Sequence, residues 1–147
     1  MNVRISPAKD KYADEIAAIL SGWIDETDWM PRVHTLEEDQ GFGEFLIRKT
    51  DVTVAIDEGK VVGFLARQGC VVQALYLAKN ARGFGIGARL LDGAKQGLPR
   101  LELWTFQANH KARQFYAREG FSEVLETDGN GNDEKLPDVK LVWERTR

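Results

Sequence analysis

The chain has 147 residues, 43% hydrophobic and 29% charged, which is enough to bury a core as one domain over residues 1–147 without disulfide or metal staples. Its 20 Lys and Arg against 23 Asp and Glu leave a formal charge of −3 with no basic block, so charge gives no case for nucleic acid or a membrane surface. No apolar run reaches membrane-span length, and Met1-Asn2-Val3-Arg4-Ile5-Ser6-Pro7 lacks a leader pattern, so a soluble cytoplasmic protein is expected.

Val3 to Ile5 predicts a short strand closed by Ser6-Pro7. Tyr12, Ile16, Leu20 and Trp23 recur at helical spacing and predict a helix opening at Asp10 or a neighbour, with this stripe buried. Ile24 to His34 mixes carboxylates with Trp29, Met30 and Pro31 and reads as a loop carrying aromatic surface. Thr35 with Glu38 is a capping-box pattern, and Phe42, Phe45 and Leu46 extend one face, so a second helix is expected over Leu36 to Arg48, weakened by Gly41 and Gly43. Val52 to Ile56 and Val61 to Gln68 flank the turn Asp57-Glu58-Gly59-Lys60 as a hairpin, and Cys70 to Leu77 follows as a third strand. Cys70 stands alone in an apolar run, which predicts a buried thiol and not a nucleophile.

A helix should begin at Gly85 or Ile86, turn Leu90, Leu91 and Ala94 inward, and end near Gly97 and Pro99, with Leu101 to Phe106 as the next strand. Strand, glycine loop, helix and strand then make one crossover unit. Asn109 to Glu119 reads as another helix stopped by Gly120, and Phe121 to Glu126 with Val139 to Trp143 as a final antiparallel pair around the polar connection Thr127 to Asp138. Trp23 and Trp104 are expected in the core. No His, Cys, Asp and Glu spacing suggests a metal site.

The chemistry concentrates in Arg82-Gly83-Phe84-Gly85-Ile86-Gly87, where three alternating glycines let successive N–H groups converge on an anion at the start of a helix. This geometry suits a phosphorylated cofactor. A nucleoside-triphosphate loop needs Gly-Lys followed by Ser or Thr, and the chain has Gly87-Ala88. Gly83, Gly85 and Ala88 fit dinucleotide spacing, but Glu102 opens a strand where that fingerprint needs an acidic residue closing one, and a hairpin-rich sheet precedes the loop.

The run Arg82 to Gly87 also matches Arg/Gln-x-x-Gly-x-Gly/Ala, and Leu75-Tyr76-Leu77 resembles the strand that leads into it. A second run, Asn109-His110-Lys111-Ala112-Arg113-Gln114-Phe115-Tyr116 through Gly120-Phe121, matches Asn-x-x-Ala-x-x-Phe-Tyr-x-x-x-Gly-Phe. Both signatures, in this order, resemble those of the GNAT superfamily of acetyl-CoA-dependent N-acetyltransferases, and the element order fits that fold over nearly the whole chain. The resemblance implies an α+β fold, a mostly antiparallel twisted sheet of six to seven strands with a splayed parallel central pair, flanked by about four helices.

It implies acetyl-CoA as co-substrate, with the pyrophosphate on the amides of Arg82, Gly83, Phe84, Gly85, Ile86 and Gly87, and the pantetheine arm beside Leu75, Tyr76 and Leu77 in the gap facing Leu101 to Phe106. A backbone N–H near Leu77 would polarise the thioester carbonyl. Asn109 is expected to touch coenzyme A or to cap its helix. Tyr116 occupies the position that often supplies the leaving-group proton, with packing beside Phe115 as the plainer reading, and a phenol near its ordinary pKa of about 10 would serve.

Many members carry a glutamate base on the strand before the loop. This chain has only Gln73 there, which leaves a water chain, His34, Glu102 or a carboxylate of the polar connection as proton acceptor, and leaves open a catalytically inactive coenzyme A-binding module acting through a partner. The acceptor, a primary amine of a small molecule or peptide, is expected where the early helix-loop-helix meets the late connection. Trp29 and Met30 with Pro31 would form apolar walls beside His34, and Asp128, Asp133, Glu134 and Asp138 would supply negative charge, unless they only solvate a loop with the turn pairs Asp128-Gly129 and Asn130-Gly131. The resemblance also allows a homodimer.

Overall fold

A computed structural model describes residues 2–146, with Leu36 described by its backbone alone. Seven strands form one sheet: β1 (Val3–Pro7), β2 (Asp51–Asp57), β3 (Lys60–Gln68), β4 (Val71–Leu77), β5 (Arg100–Phe106), β6 (Ser122–Thr127) and β7 (Asp138–Glu144). Among the described residues four α-helices accompany them: α1 (Ala13–Glu26), α2 (Leu36–Lys49), α3 (Ile86–Lys95) and α4 (His110–Arg118). The sheet order is β1-β2-β3-β4-β5-β7-β6, antiparallel throughout except for the parallel pair β4 and β5. This is the mixed α+β architecture, with a parallel central pair, that the resemblance implies.

That parallel pair is held at one end only. Val71 opposite Glu102 is its single register pair, and the Glu102 amide donates to the Cys70 carbonyl at 2.8 Å. From Val72 onward β4 parts from β5, so the backbone of Leu75 to Leu77 has no β5 partner on that side.

Side-chain alternation sends the strands' apolar residues to two cores. Leu101, Leu103, Val139 and Leu141 meet Leu90 and Leu91 of α3 and Tyr116 of α4 on one face. Val52, Val54, Ile56 and Phe64 meet Ile16 and Ile19 of α1 and Leu46 of α2 on the other. Burying a side chain such as Phe64 stabilises the fold by roughly 1.5–3 kcal/mol.

The helix starts have local causes. Thr35 Oγ1 accepts from the Glu38 amide at 3.1 Å while the Glu38 carboxylate accepts from the Thr35 amide at 3.0 Å, the predicted capping box, worth about 0.5–2 kcal/mol. α2 then runs unbroken through Gly41 and Gly43. At Gly43 α1 and α2 approach closely, since a Cβ there would lie 2.5 Å from the Ala13 carbonyl oxygen. Gly43→Leu is therefore expected to wedge the helices apart and cost about 1–3 kcal/mol, read as a lowered midpoint in chemical denaturation.

Several residues sit differently from their sequence pattern. Trp104 is 46% exposed, because α1 and α2 stand over β2 to β4 and leave its face of β5 uncovered. Leu20 and Trp23 are half-buried and not core, because their side of α1 faces a cavity. The Cys70 thiol is half-exposed in the turn before β4. α1 is preceded by a 3-10 turn at Asp10–Tyr12, and β1 continues through Ser6 and Pro7.

Candidate active site

A cavity of about 480 Å³ lies between the free edge of β4, the glycine loop and α4; contrary to the expected gap facing Leu101 to Phe106, α4 and not β5 forms its far wall. Leu75, Tyr76 and Leu77 form one side, and Gly83 with Gly85, Ile86 and Gly87 forms another. Gly83 and Gly85 have φ of +86° and +77°, the left-handed region that glycine enters without a Cβ penalty. Gly85 is the N-cap of α3, so the free amides and positive dipole end of that helix open toward the cavity. The Arg82 side chain is occupied in the protein: it pairs with Glu26 and donates to the Leu77 carbonyl at 3.1 Å, which pins the loop to β4 and α1. Phe84 is 59% exposed and lies outside the cavity wall. Splayed strand edge, amide-rich loop and helix start together fit an extended ligand that carries amides at one end and a pyrophosphate at the other.

Asn109 takes the capping role of the two expected for it. Its Oδ1 accepts from the Ala112 amide at 3.1 Å as the cap of α4, and the residue also lines the cavity. Two turns further on, Tyr116 lines the same cavity and is 7% exposed, packed edge-on against Phe115 and Phe121. Burial pushes the Tyr116 phenol well above its ordinary range, a departure from the expected value that makes it a weaker acid and keeps its proton in place.

A second cavity of about 500 Å³ lies between α1, α2 and the connection from β6 to β7. Met30 and Phe106 contribute apolar wall, and Glu38, Asp39, Asp133 and Glu134 contribute carboxylates. Trp29 stands behind this wall, edge-on to Trp23 at 5.9 Å and to Phe106 at 5.8 Å between ring centroids. Of the four carboxylates singled out in the connection, Asp133 and Glu134 reach the cavity, whereas Asp128 and Asp138 build the loop. Asp128 accepts from the Asn130 amide at 2.9 Å, and Asp138 is held by Thr127 and Asn132.

His34 sits on the rim, its Nδ1 3.3 Å from Glu38 and its Nε2 3.8 Å from Asp133, so it links α2 to the connection. Glu102 is not brought to either cavity. It opens β5, at the opposite end of that strand from Phe106, and the Arg100 guanidinium, aided by Lys140, holds its carboxyl below the usual range.

The two cavities share Trp23 and Tyr76, whose rings pack at 5.1 Å between centroids. Burial pushes the Tyr76 phenol up to about 12, and the charge of Glu134 acts in the same direction. Native Tyr76 and Tyr116 therefore keep protons that the unfolded chain releases near pH 10, so the native state binds more protons in that window. Stability is expected to be full below about pH 10 and to fall as pH rises toward 12, with a shallower fall in Tyr76→Phe, measured as thermal midpoint against pH.

Two participants escape a sequence reading. Arg32 donates to Asp25 at 2.7 Å, to Asp39 at 2.7 Å and to Ser21 Oγ at 2.8 Å, tying the loop into both helices. Asp39 is 3% exposed and shares the buried stripe of α2 with Gly43 and Leu46, so a carboxylate at an apolar helical position was the available signal. Among the described residues no cluster of His, Cys, Asp and Glu could hold a metal ion, and no helix is long and apolar enough to cross a membrane.

A glycine-loop cavity that meets an acidic cavity across one shared wall has the layout that a two-substrate group-transfer enzyme needs. Residues 48–123, just over half of the chain, match the model of the Acetyltransferase (GNAT) domain family, and the chain belongs to that family of acetyl-CoA-dependent N-acetyltransferases. Among similar proteins, the Escherichia coli peptidyl-lysine N-acetyltransferase YiaC is 28% identical, over 92% of this chain and 94% of its own. The solution structure of apo YjaB from Escherichia coli superposes with a TM-score of 0.81 at 23% identity, covering 97% and 98% of the two chains. YncA from Salmonella typhimurium, solved with its cofactor acetyl-CoA, gives 0.75 at 17% identity, covering 100% of this chain and 96% of its own.

Proposed function

We propose that residues 1–147 act as one domain that acetylates the side-chain amine of lysine in peptides or exposed protein segments. The observation that carries this reading is the acidic, apolar-walled acceptor cavity meeting the donor cavity at Trp23 and Tyr76. A lysine offers an apolar stem and a cationic tip, and the cavity offers both matching surfaces. Its mouth carries exposed apolar surface at Val33, Phe42 and Phe45, the last 52% exposed, which suits residues flanking an acceptor lysine better than a free polyamine. The name of YiaC points the same way.

Acetyl-CoA supplies an activated thioester acyl group when bound. In this reading the amides of Gly83 and Gly85 to Gly87 hold the pyrophosphate, and the unpaired edge of Leu75 to Leu77 aligns the pantetheine amides. Tyr116 lines the donor cavity, from which its hydroxyl would pass a proton to the departing sulfur. Gly83, Gly85 and Gly87 need no side chain for this work, whereas Asp133, Glu134 and Met30 set which amine enters.

Thiol release from acetyl-CoA over lysine peptides, polyamines, amino acids and aminoglycosides tests the proposal. Turnover is expected to be fastest with lysine peptides, with mass spectrometry placing the acetyl group on the ε-nitrogen. Faster turnover of a polyamine or an aminoglycoside would overturn the peptide assignment. Tight acetyl-CoA binding without turnover on any amine would favour the inactive coenzyme A-binding module instead.

A further inference from the structure

We propose that Glu134 is the general base of the transfer, taking the proton of the acceptor ammonium at the wall that joins the two cavities. This inference rests on the lysine-acetylation reading above. β4, where a glutamate base would serve, presents Gln73 to the acceptor cavity, and a neutral amide holds no proton for the reaction. The proton acceptor has to come from another element.

The lining carboxylates divide by what already engages them. Glu38 accepts from the Thr35 amide and faces His34, and Asp39 is paired with Arg32. Asp133 faces His34 on the rim with its side chain 77% exposed. Glu134 is half-buried, forms no ion pair among the described residues, and lines the cavity together with Tyr76, which in turn lines the donor cavity with Tyr116. His34 has both of its ring nitrogens facing carboxylates, Glu38 at 3.3 Å and Asp133 at 3.8 Å.

Glu134 is also held in place by its loop. Asn132 Nδ2 donates to the Leu136 carbonyl at 2.8 Å, the Leu136 amide donates back to Asn132 Oδ1 at 3.2 Å, and Lys135 Nζ donates to the Asn130 carbonyl at 2.8 Å. Residues on both sides of Glu134 are thereby fixed, which orders the carboxylate for proton transfer.

The proton balance is simple. One ammonium proton passes to a Glu134 oxygen and the freed nitrogen lone pair forms the C–N bond. The C–S bond breaks with its electron pair on sulfur, the second nitrogen proton reaches that sulfur by way of the Tyr116 phenol, and Glu134 returns its proton to water. The titratable and charged groups facing Glu134 across the cavity are Tyr76 of β4, Arg32 and His34 of the loop after α1, and Glu38 and Asp39 of α2, with Asp133 beside it in its own loop.

The test compares Glu134→Gln with the wild type on a lysine peptide and on the same peptide carrying an aminooxy group, a nucleophile already neutral at pH 7. The variant is expected to lose about a hundredfold in kcat on lysine and to recover about tenfold for each unit of rising pH below the amine pKa of about 10.4. Its rate on the aminooxy peptide should stay near wild type. Calorimetry without acetyl-CoA should record weaker binding of the lysine peptide and unchanged binding of a norleucine peptide. Equal losses on both nucleophiles would reduce Glu134 to positioning, and unchanged kcat on lysine would remove it from the reaction. The same nucleophile-dependent split in His34→Gln, absent from Glu134→Gln, would move the role to His34. A wild type that acetylates some other amine and no lysine peptide overturns the lysine reading alone, and the same comparison with that amine then decides the base.

Discussion

Tyr116→Phe should lower kcat by roughly two orders of magnitude or more while leaving acetyl-CoA affinity within a few-fold of wild type. The substitution removes one oxygen atom from a ring packed between Phe115 and Phe121, so the apolar contacts that hold α4 on the sheet survive. No buried polar side-chain atom is left without a partner among the described residues, and Tyr116 lines the donor cavity with no hydrogen bond to a protein group, so loss of its hydroxyl should strand nothing in the protein. Burial raises the phenol pKa, which keeps the hydroxyl protonated throughout the neutral range. Steady-state kinetics with calorimetric titration of acetyl-CoA separates the outcomes. Retention of kcat would show that Tyr116 only packs, whereas a parallel loss of cofactor affinity would show that it shapes the donor cavity.

Gly129→Ala should strike the acceptor side with comparable force. Gly129 has φ of +85°, and a Cβ there would run into the backbone of Leu136 across the loop. The left-handed conformation alone costs a non-glycine residue about 1–2 kcal/mol, and overlap with main chain cannot be relieved by rotating a side chain. The connection from β6 to β7 lies at the sheet's edge, so the strain is expected to open the loop locally while the core formed by α3 and the central strands holds. Asp133 and Glu134 would then leave the cavity wall. The expected result is a loss in kcat/KM for the amine of about a hundredfold, equivalent to about 2.7 kcal/mol, with acetyl-CoA binding unchanged. A variant that keeps wild-type kcat/KM for the amine would show that the acceptor does not depend on the shape of this loop.

The contrast between these substitutions follows the division of the molecule. The family match at residues 48–123 covers β2 through β5, the glycine loop, α3 and α4, and leaves outside it α1, most of α2 and the connection that carries Glu134. The shared part builds the donor cavity. The remainder supplies most of the acceptor cavity, which is why family membership establishes acetyl-CoA and an amine while leaving the particular amine to the cavity's own chemistry.

Much of the fold was legible because its causes are local. The Thr35–Glu38 capping box, the stop at Gly120 and the apolar stripe of Leu90, Leu91 and Ala94 each act within a few residues, and each lies in the structure as its pattern implies. Trp104 and Trp23 were not legible in this way. An aromatic residue on a strand or helical stripe reads the same whether a neighbouring element covers it or not, and α1 and α2 cover β2 to β4 while leaving Trp104 bare. Similarly, Asp128, Asp133, Glu134 and Asp138 are chemically alike in the sequence, and only the hydrogen bonds of the folded connection divide them into two that build the loop and two that face the cavity.

By itself, then, the order of residues determined the glycine loop: the run Arg82 to Gly87 turns on two left-handed glycines into the start of α3, and needs little beyond the strand before it and the helix after it. The tertiary structure decided the acceptor side. That cavity is made of side chains drawn from α1, α2, β4, β5 and the connection from β6 to β7, segments far apart in the chain, and packing brings them together where local propensity says nothing of their meeting.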